Sequence, residues 1–177
     1  MNKFIVLEGC DGTGKSSTAL LIAKAINGVY YKTPPPIFKP LSAVIEETKN
    51  YDLRFYHYLA GVLYSSLEIK KLLKSTNVVC DRYIYTTIAA HRALGIDVPD
   101  NLERLVITPD YSFCLFARAD EIKKRMSERK TLGYFDDDDD HQTKVRREFQ
   151  KFPLIFIDNS DMTAEESVEK ILQIIRL

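Results

Sequence analysis

Eight residues near the amino terminus constrain the fold more than any others: Gly9-Cys10-Asp11-Gly12-Thr13-Gly14-Lys15-Ser16. They fit the pattern G-x-x-x-x-G-K-[ST] and stand between an apolar run, Lys3 to Leu7, and a stretch from Ser16 whose apolar residues have helical spacing. In a strand, glycine loop, helix arrangement, successive backbone N–H groups turn inward as a nest for an anion, and the positive end of the helix adds to it. A polyphosphate fits there. Lys15 would reach the β and γ oxygens as a point charge, and the Ser16 hydroxyl would hold Mg²⁺. Gly9, Asp11, Gly12, Thr13, Gly14, Lys15, Ser16 and Ser17 are therefore the candidate nucleotide-binding residues, with ATP and Mg²⁺ as the expected cofactors.

The rest of the chain repeats the alternation. Strands are expected at Val29–Tyr31, Asn77–Cys80, Tyr111–Phe116 and Leu154–Ile157. Helices are expected at 51–74, Ile84–Leu94, Asp120–Lys130 and Ala164–Arg176, the first with apolar positions 55, 59, 62, 63, 67 and 72 on one face. Pro34-Pro35-Pro36 forbids regular pairing and reads as extended loop. Alternating strands and helices imply an α/β protein, a five-stranded parallel sheet flanked by helices. With 177 residues, one domain over 1–177 is expected. Lys and Arg number 25 and Asp and Glu 25, so the chain carries no excess charge to neutralise a nucleic-acid backbone. No apolar run approaches the ~20 residues of a membrane span, and an intracellular, cytoplasmic protein is expected. Cys10, Cys80 and Cys114 are odd in number and widely spaced, and read as reduced thiols in or near the core.

Two further groups carry chemistry. Asn77 to Cys80 delivers Asp81 and then Arg82 at a strand's C-terminal end, the edge where open α/β sheets bind ligands. Asp81 can orient a magnesium shell or the attacking oxygen, and Arg82 can grip a phosphate with two N–H groups. A basic group, Lys123, Lys124, Arg125, Arg129 and Lys130, is followed by the acidic run Asp136–Asp140 and then by Lys144, Arg146 and Arg147. Thr13 gives the phosphate loop no arginine, so charge for the transferred group must come from elsewhere, and a basic flap with a solvated acidic tip is the available source. Arg129, at the helix end, is the expected catalytic cation, and Arg125 the expected contact on the adenine side.

These motifs together resemble the thymidylate kinase family of nucleoside monophosphate kinases. The resemblance runs nearly end to end through Phe4-Ile5-Val6-Leu7-Glu8-Gly9, Asp11, Asp81-Arg82-Tyr83, Pro109-Asp110, Arg125 and Arg129, and Lys144-Val145-Arg146. It implies a P-loop kinase fold with a lid at approximately 125–143, and transfer of the γ-phosphoryl group of ATP to a nucleoside monophosphate, with dTMP leading. By resemblance Asp11 would accept the sugar 3′-OH, Arg82 would bind the acceptor phosphate, and Lys32 and Pro34 would lie on the acceptor-side loop. Lys15, Asp81, Arg82 and Arg129 are the expected catalytic residues, Ser16 and Asp81 the expected metal residues, and Tyr58, Thr86 and His91 join Asp11, Lys32 and Arg82 as acceptor-binding residues. A homodimer through the helices around 55–73 and 84–94 is also implied.

The chain departs from the family pattern in two places. Residues 60–66 hold no arginine where the family offers one, and Thr86 with Ala89-Ala90-His91 stands where the family places Ser and Ala-Tyr-Gln. Arg92 would replace a lost contact if its side chain turned inward. Two other functions therefore remain open: a kinase of a nucleoside or other small hydroxyl compound, and a nucleotide-dependent binding module with little turnover.

Overall fold

The computed structural model describes residues 1–127 and 139–175. Five strands form one parallel sheet in the order β2-β3-β1-β4-β5, with β1 Phe4–Glu8, β2 Val29–Lys32, β3 Val78–Asp81, β4 Tyr111–Phe116 and β5 Ile155–Asp158. Every residue of β1 is buried because helices cover both faces of the central strand. The period-2 alternation of the strand divides its side chains: Phe4 and Val6 pack toward α3 (Tyr51–Leu72) and α4 (Ile84–Ala93), while Ile5 and Leu7 pack toward α1 (Lys15–Ala25) and α7 (Ala164–Ile175). Cys10, Cys80 and Cys114 are buried free thiols, as expected.

The register aligns the strands' C-terminal ends. Leu7 pairs with Asp81, Lys32 with Asp81 and Glu8 with Cys114, so the phosphate loop leaves β1 beside the carboxylate that ends β3. The chain builds β2 and β3 on one side of β1 and β4 and β5 on the other, which makes the C-terminal end of β1 the point where the winding direction changes.

One helix was not expected from the sequence. The last proline of the triplet does not stay extended as expected: with its fixed φ it opens a 3₁₀ turn, Pro36–Phe38, which runs into α2, Lys39–Thr48. α5 spans Ala119–Ser127, and α6, Asp139–Phe149, follows the undescribed stretch and packs on α4. α3 begins at Asn50, whose side chain accepts from the Leu53 N–H at 2.9 Å. Gly61 lets this helix approach the 33–36 loop, since a Cβ there would stand 2.7 Å from Pro34 Cβ. The face expected on α3 is corrected at one position: Phe55, Leu59 and Val62 are buried, whereas Leu67 is 63% exposed. Leu67 lies beside Leu53, Tyr56 and Tyr64 on an outer apolar stripe, because the helix is long enough to carry two apolar faces. No helix among the described residues is long and apolar enough to cross a membrane.

Candidate active site

The phosphate loop leaves β1 with Gly9 at φ 135°, where any Cβ would overlap the Leu115 carbonyl oxygen, and enters α1 through Gly14 at φ 82°. No side chain caps α1, so its first N–H groups are left for a ligand. Lys15 is buried, its ammonium donating to the Cys10 carbonyl and lying 3.5 Å from Thr13 Oγ1. Burial, and secondarily the Arg82 charge, push its pKa down to about 8. Ser17 is exposed in the first turn of α1.

Ser16 and Asp81, separated by 65 positions, meet directly, with Ser16 Oγ donating to Asp81 Oδ2 at 2.5 Å. The same oxygen accepts from the Tyr30 hydroxyl at 2.9 Å, and the Lys32 ammonium stands 3.7 Å away. Asp81 Oδ1 is buried without a hydrogen-bond partner among the described residues. A hydroxyl and a carboxylate, one oxygen of which is unsatisfied, suit Mg²⁺ beside the phosphate loop. Lys32 belongs to this group and does not line the acceptor cavity.

That cavity, about 340 Å³, opens beside the loop. Asp11 and Arg82 form its inner end as an ion pair, Arg82 holding an αL backbone at φ 67° and also donating to the Gly9 carbonyl at 3.4 Å. α2, α3 and α4 contribute Glu46, Arg54, Tyr58, Thr86, Ala90 and His91 to the walls. Tyr58, Thr86 and His91, all three expected on the acceptor side, line this one cavity. His91 is buried and forced neutral by its contacts: Nδ1 faces the Thr87 carbonyl at 2.7 Å and must donate, while Nε2 faces an Arg54 N–H at 3.1 Å and must accept.

On the far side of the loop, Arg125 donates to Glu121 at 2.8 Å and to the Asn159 carbonyl at 2.9 Å, and the Asn159 amide donates to the Thr13 carbonyl at 2.8 Å. Arg125 is thereby tied to the phosphate loop through one asparagine. Arg129 and most of the acidic run lie outside the described residues; Asp140 starts α6 and pairs with Lys144 at 2.6 Å. Among the described residues, which leave out 128–138, no three His, Cys, Asp or Glu side chains cluster.

The sequence profile of the thymidylate kinase family matches residues 7–175. A probable thymidylate kinase from Methanococcus aeolicus is 31% identical, the alignment covering 98% of this chain and 95% of that protein. The relative from Thermococcus kodakarensis is 31% identical over 95% of this chain and 92% of its own length. The chain belongs to the thymidylate kinase family. Solved thymidylate kinases share the fold: that of Candida albicans has a TM-score of 0.81 at 20% identity over 99% of this chain and 91% of its own. That of Ehrlichia chaffeensis has a TM-score of 0.70 at 21% identity over 98% of each chain.

Set within the thymidylate kinase family, the expected residues need one correction here, Arg92, and three additions, Arg54, Glu46 and Glu8. Arg92 turns outward to Asp100 at 3.0 Å, because it sits on the solvent side of α4, and replaces no contact in the cavity. Arg54, one helical turn before Tyr58, joins Arg82 in lining the cavity, and its signal was the i,i+4 spacing of Arg54 and Tyr58 on a helix capped by Asn50. Glu46 had no such signal, since α2 itself was not expected. Glu8 was read only as a strand end, yet its buried carboxylate accepts from the N–H groups of Tyr83, Tyr85 and Thr86 and from the Thr86 hydroxyl.

Proposed function

We propose that the chain is an ATP-dependent nucleotide kinase that phosphorylates dTMP to dTDP. The observation that carries this reading is the cavity beside the phosphate loop whose inner end is the Asp11–Arg82 pair. An acceptor phosphate placed there competes with Asp11 for the Arg82 guanidinium and faces the γ-phosphate across the loop. Asp11, relieved of the arginine, can accept a sugar hydroxyl. The loop N–H groups and Lys15 hold the donor polyphosphate, and little beyond positioning and charge compensation is needed for phosphoryl transfer. Mg²⁺ would be held by Ser16 and Asp81 and would supply charge neutralisation on the β and γ phosphates.

The protein acts in the cytoplasm, where both nucleotides are available, as a homodimer through the outer stripe of α3, Leu53, Tyr56, Tyr64 and Leu67; the exposure of that stripe supports the dimer. The test of the activity is coupled ADP release with ATP and Mg²⁺ over nucleosides and their monophosphates. ADP formation that requires dTMP, with a KM for dTMP raised at least tenfold in Arg82→Ala and a KM for ATP little changed, supports the reading. Turnover with thymidine in place of dTMP would transfer the protein to the nucleoside-kinase class.

A further inference from the structure

Three side chains from two elements converge on the carboxylate that ends β3. Asp81 Oδ2 accepts from Ser16 Oγ of α1 at 2.5 Å and from the Tyr30 hydroxyl of β2 at 2.9 Å, with the Lys32 ammonium of β2 at 3.7 Å. Tyr30 and Lys32 stand two apart and so share one face of the strand, the face on which Tyr30 packs toward α1. Tyr31 turns the other way and gives its hydroxyl proton to Glu68. The strands need none of these side-chain contacts to pair, because the parallel ladder already sets Tyr30 beside Val79 and Lys32 beside Asp81. A phenylalanine would fill the same space against α1. The hydroxyl is therefore the part of Tyr30 that calls for a function.

We propose that Tyr30 is the positioning residue of the divalent-cation site, and that Lys32 is the counter-charge that stands by Asp81 until the cation takes its place. Two O–H donors on Oδ2 fix the rotation of the carboxylate about its Cβ–Cγ bond. Ser16 gives its only proton to that oxygen, which leaves the lone pairs of its own hydroxyl for a cation. Oδ1, buried and without a hydrogen-bond partner among the described residues, is the oxygen left over. Without Tyr30 the carboxylate could turn and exchange the oxygen it shows to Ser16, and a ligand set held loosely binds its metal less well. Lys32 supplies the opposite effect. Asp81 is fully buried and needs a positive charge nearby, yet the Lys32 side chain is 57% exposed, so its ammonium can move out to water when a cation arrives. Tyr30 thus favours cation binding and Lys32 competes with it. The inference rests on the assignment of Mg²⁺ to Ser16 and Asp81 and goes beyond it, since Tyr30 and Lys32 act through the carboxylate.

Mn²⁺ is the probe, and its binding to the ADP-loaded protein is read by electron paramagnetic resonance for the wild type, Tyr30→Phe and Lys32→Met. Affinity for the fluorescent N-methylanthraniloyl-ADP with and without Mg²⁺ is the second readout, and thermal unfolding is the control for folding. Tyr30→Phe should bind Mn²⁺ about tenfold more weakly, and should lose affinity for the fluorescent nucleotide only when Mg²⁺ is present. Lys32→Met should bind Mn²⁺ about twofold to fivefold more tightly, because an exposed competing charge is gone. The two variants therefore move one binding constant in opposite directions, which a general loosening of β2 would not do. A folded Tyr30→Phe protein with wild-type Mn²⁺ affinity would make the hydroxyl a packing feature. Equal loss of nucleotide affinity with and without Mg²⁺ would place its effect on the phosphate loop. Weaker or unchanged Mn²⁺ binding in Lys32→Met would remove Lys32 as a competitor. Each of these results overturns the inference while leaving Ser16 and Asp81 as the metal residues. If Tyr30→Phe does not fold, Lys32→Met decides alone. A wild type that binds no Mn²⁺ with ADP would remove the metal assignment itself and the inference with it.

Discussion

Lys15 keeps its charge in a place that opposes it. Burial and the neighbouring Arg82 guanidinium bring its pKa down to about 8, and a bound polyphosphate would push it back up. The free enzyme should thus lose affinity for ATP as pH rises through about 8, while the ATP-bound enzyme keeps the ammonium. The expected outcome is a kcat/KM for ATP that declines above pH 8 beside a kcat that holds to higher pH, and rate profiles at low and saturating ATP check it. A flat kcat/KM to pH 9.5 would contradict it. His91 poses the opposite case for stability. Burial is the first cause holding its pKa at about 4, below the usual 6.5; the Thr87 carbonyl works against this, and Arg54 from α3 and His141 from α6 add to it. The folded state binds this proton less readily than the unfolded chain, so stability is full above pH 6.5 and falls as pH drops toward 4. At pH 5 the loss from this one group is about 2 kcal/mol. Urea unfolding at pH 7.5 and 5 should show that decrement in the wild type and its absence in His91→Asn, and equal decrements would assign it elsewhere.

At the scale of elements, the last residue of β1 finishes a strand and also starts a helix. Tyr83 leaves α4 without a side-chain cap of its own, and the Glu8 carboxylate supplies one from across the sheet, accepting at 3.1, 3.1 and 3.2 Å from three backbone N–H groups. Burial raises the Glu8 pKa, and the hydrogen bonds from Thr86 and Tyr83 work against that rise. Glu8→Gln turns one acceptor into an NH₂ that faces other donors, and should cost about 1–3 kcal/mol by urea unfolding. Because α4 carries Thr86, Ala90 and His91 into the acceptor cavity, the KM for dTMP should rise in the same variant while the KM for ATP stays near its wild-type value. Unaltered stability would show that the N–H groups find other partners.

At the scale of the whole molecule, the described chain leaves an apolar stripe uncovered on the outside of α3. Leu67→Lys places a charge on the stripe and should convert a sedimenting dimer into a monomer at micromolar concentration. A monomeric wild type would end that proposal. The sequence by itself determined the strand-and-helix alternation and the phosphate loop, because each is written in local spacing: period 2, period 3.6, or a fixed run of glycines; that Ser16 and Asp81, 65 positions apart, touch was decided by the fold. Leu67 shows the limit of that spacing, since a helix periodicity says which residues share a face and not what covers it. Glu8 as a cap, Glu46 on an unexpected helix, Asn159 joining Arg125 to Thr13, and Arg54 rather than Arg92 as the second arginine of the cavity beside Arg82 were decided only by tertiary structure. Each depends on which way a long polar side chain turns once three elements have met, and residues tens of positions apart fix that direction through burial and hydrogen-bond partners that no local pattern encodes.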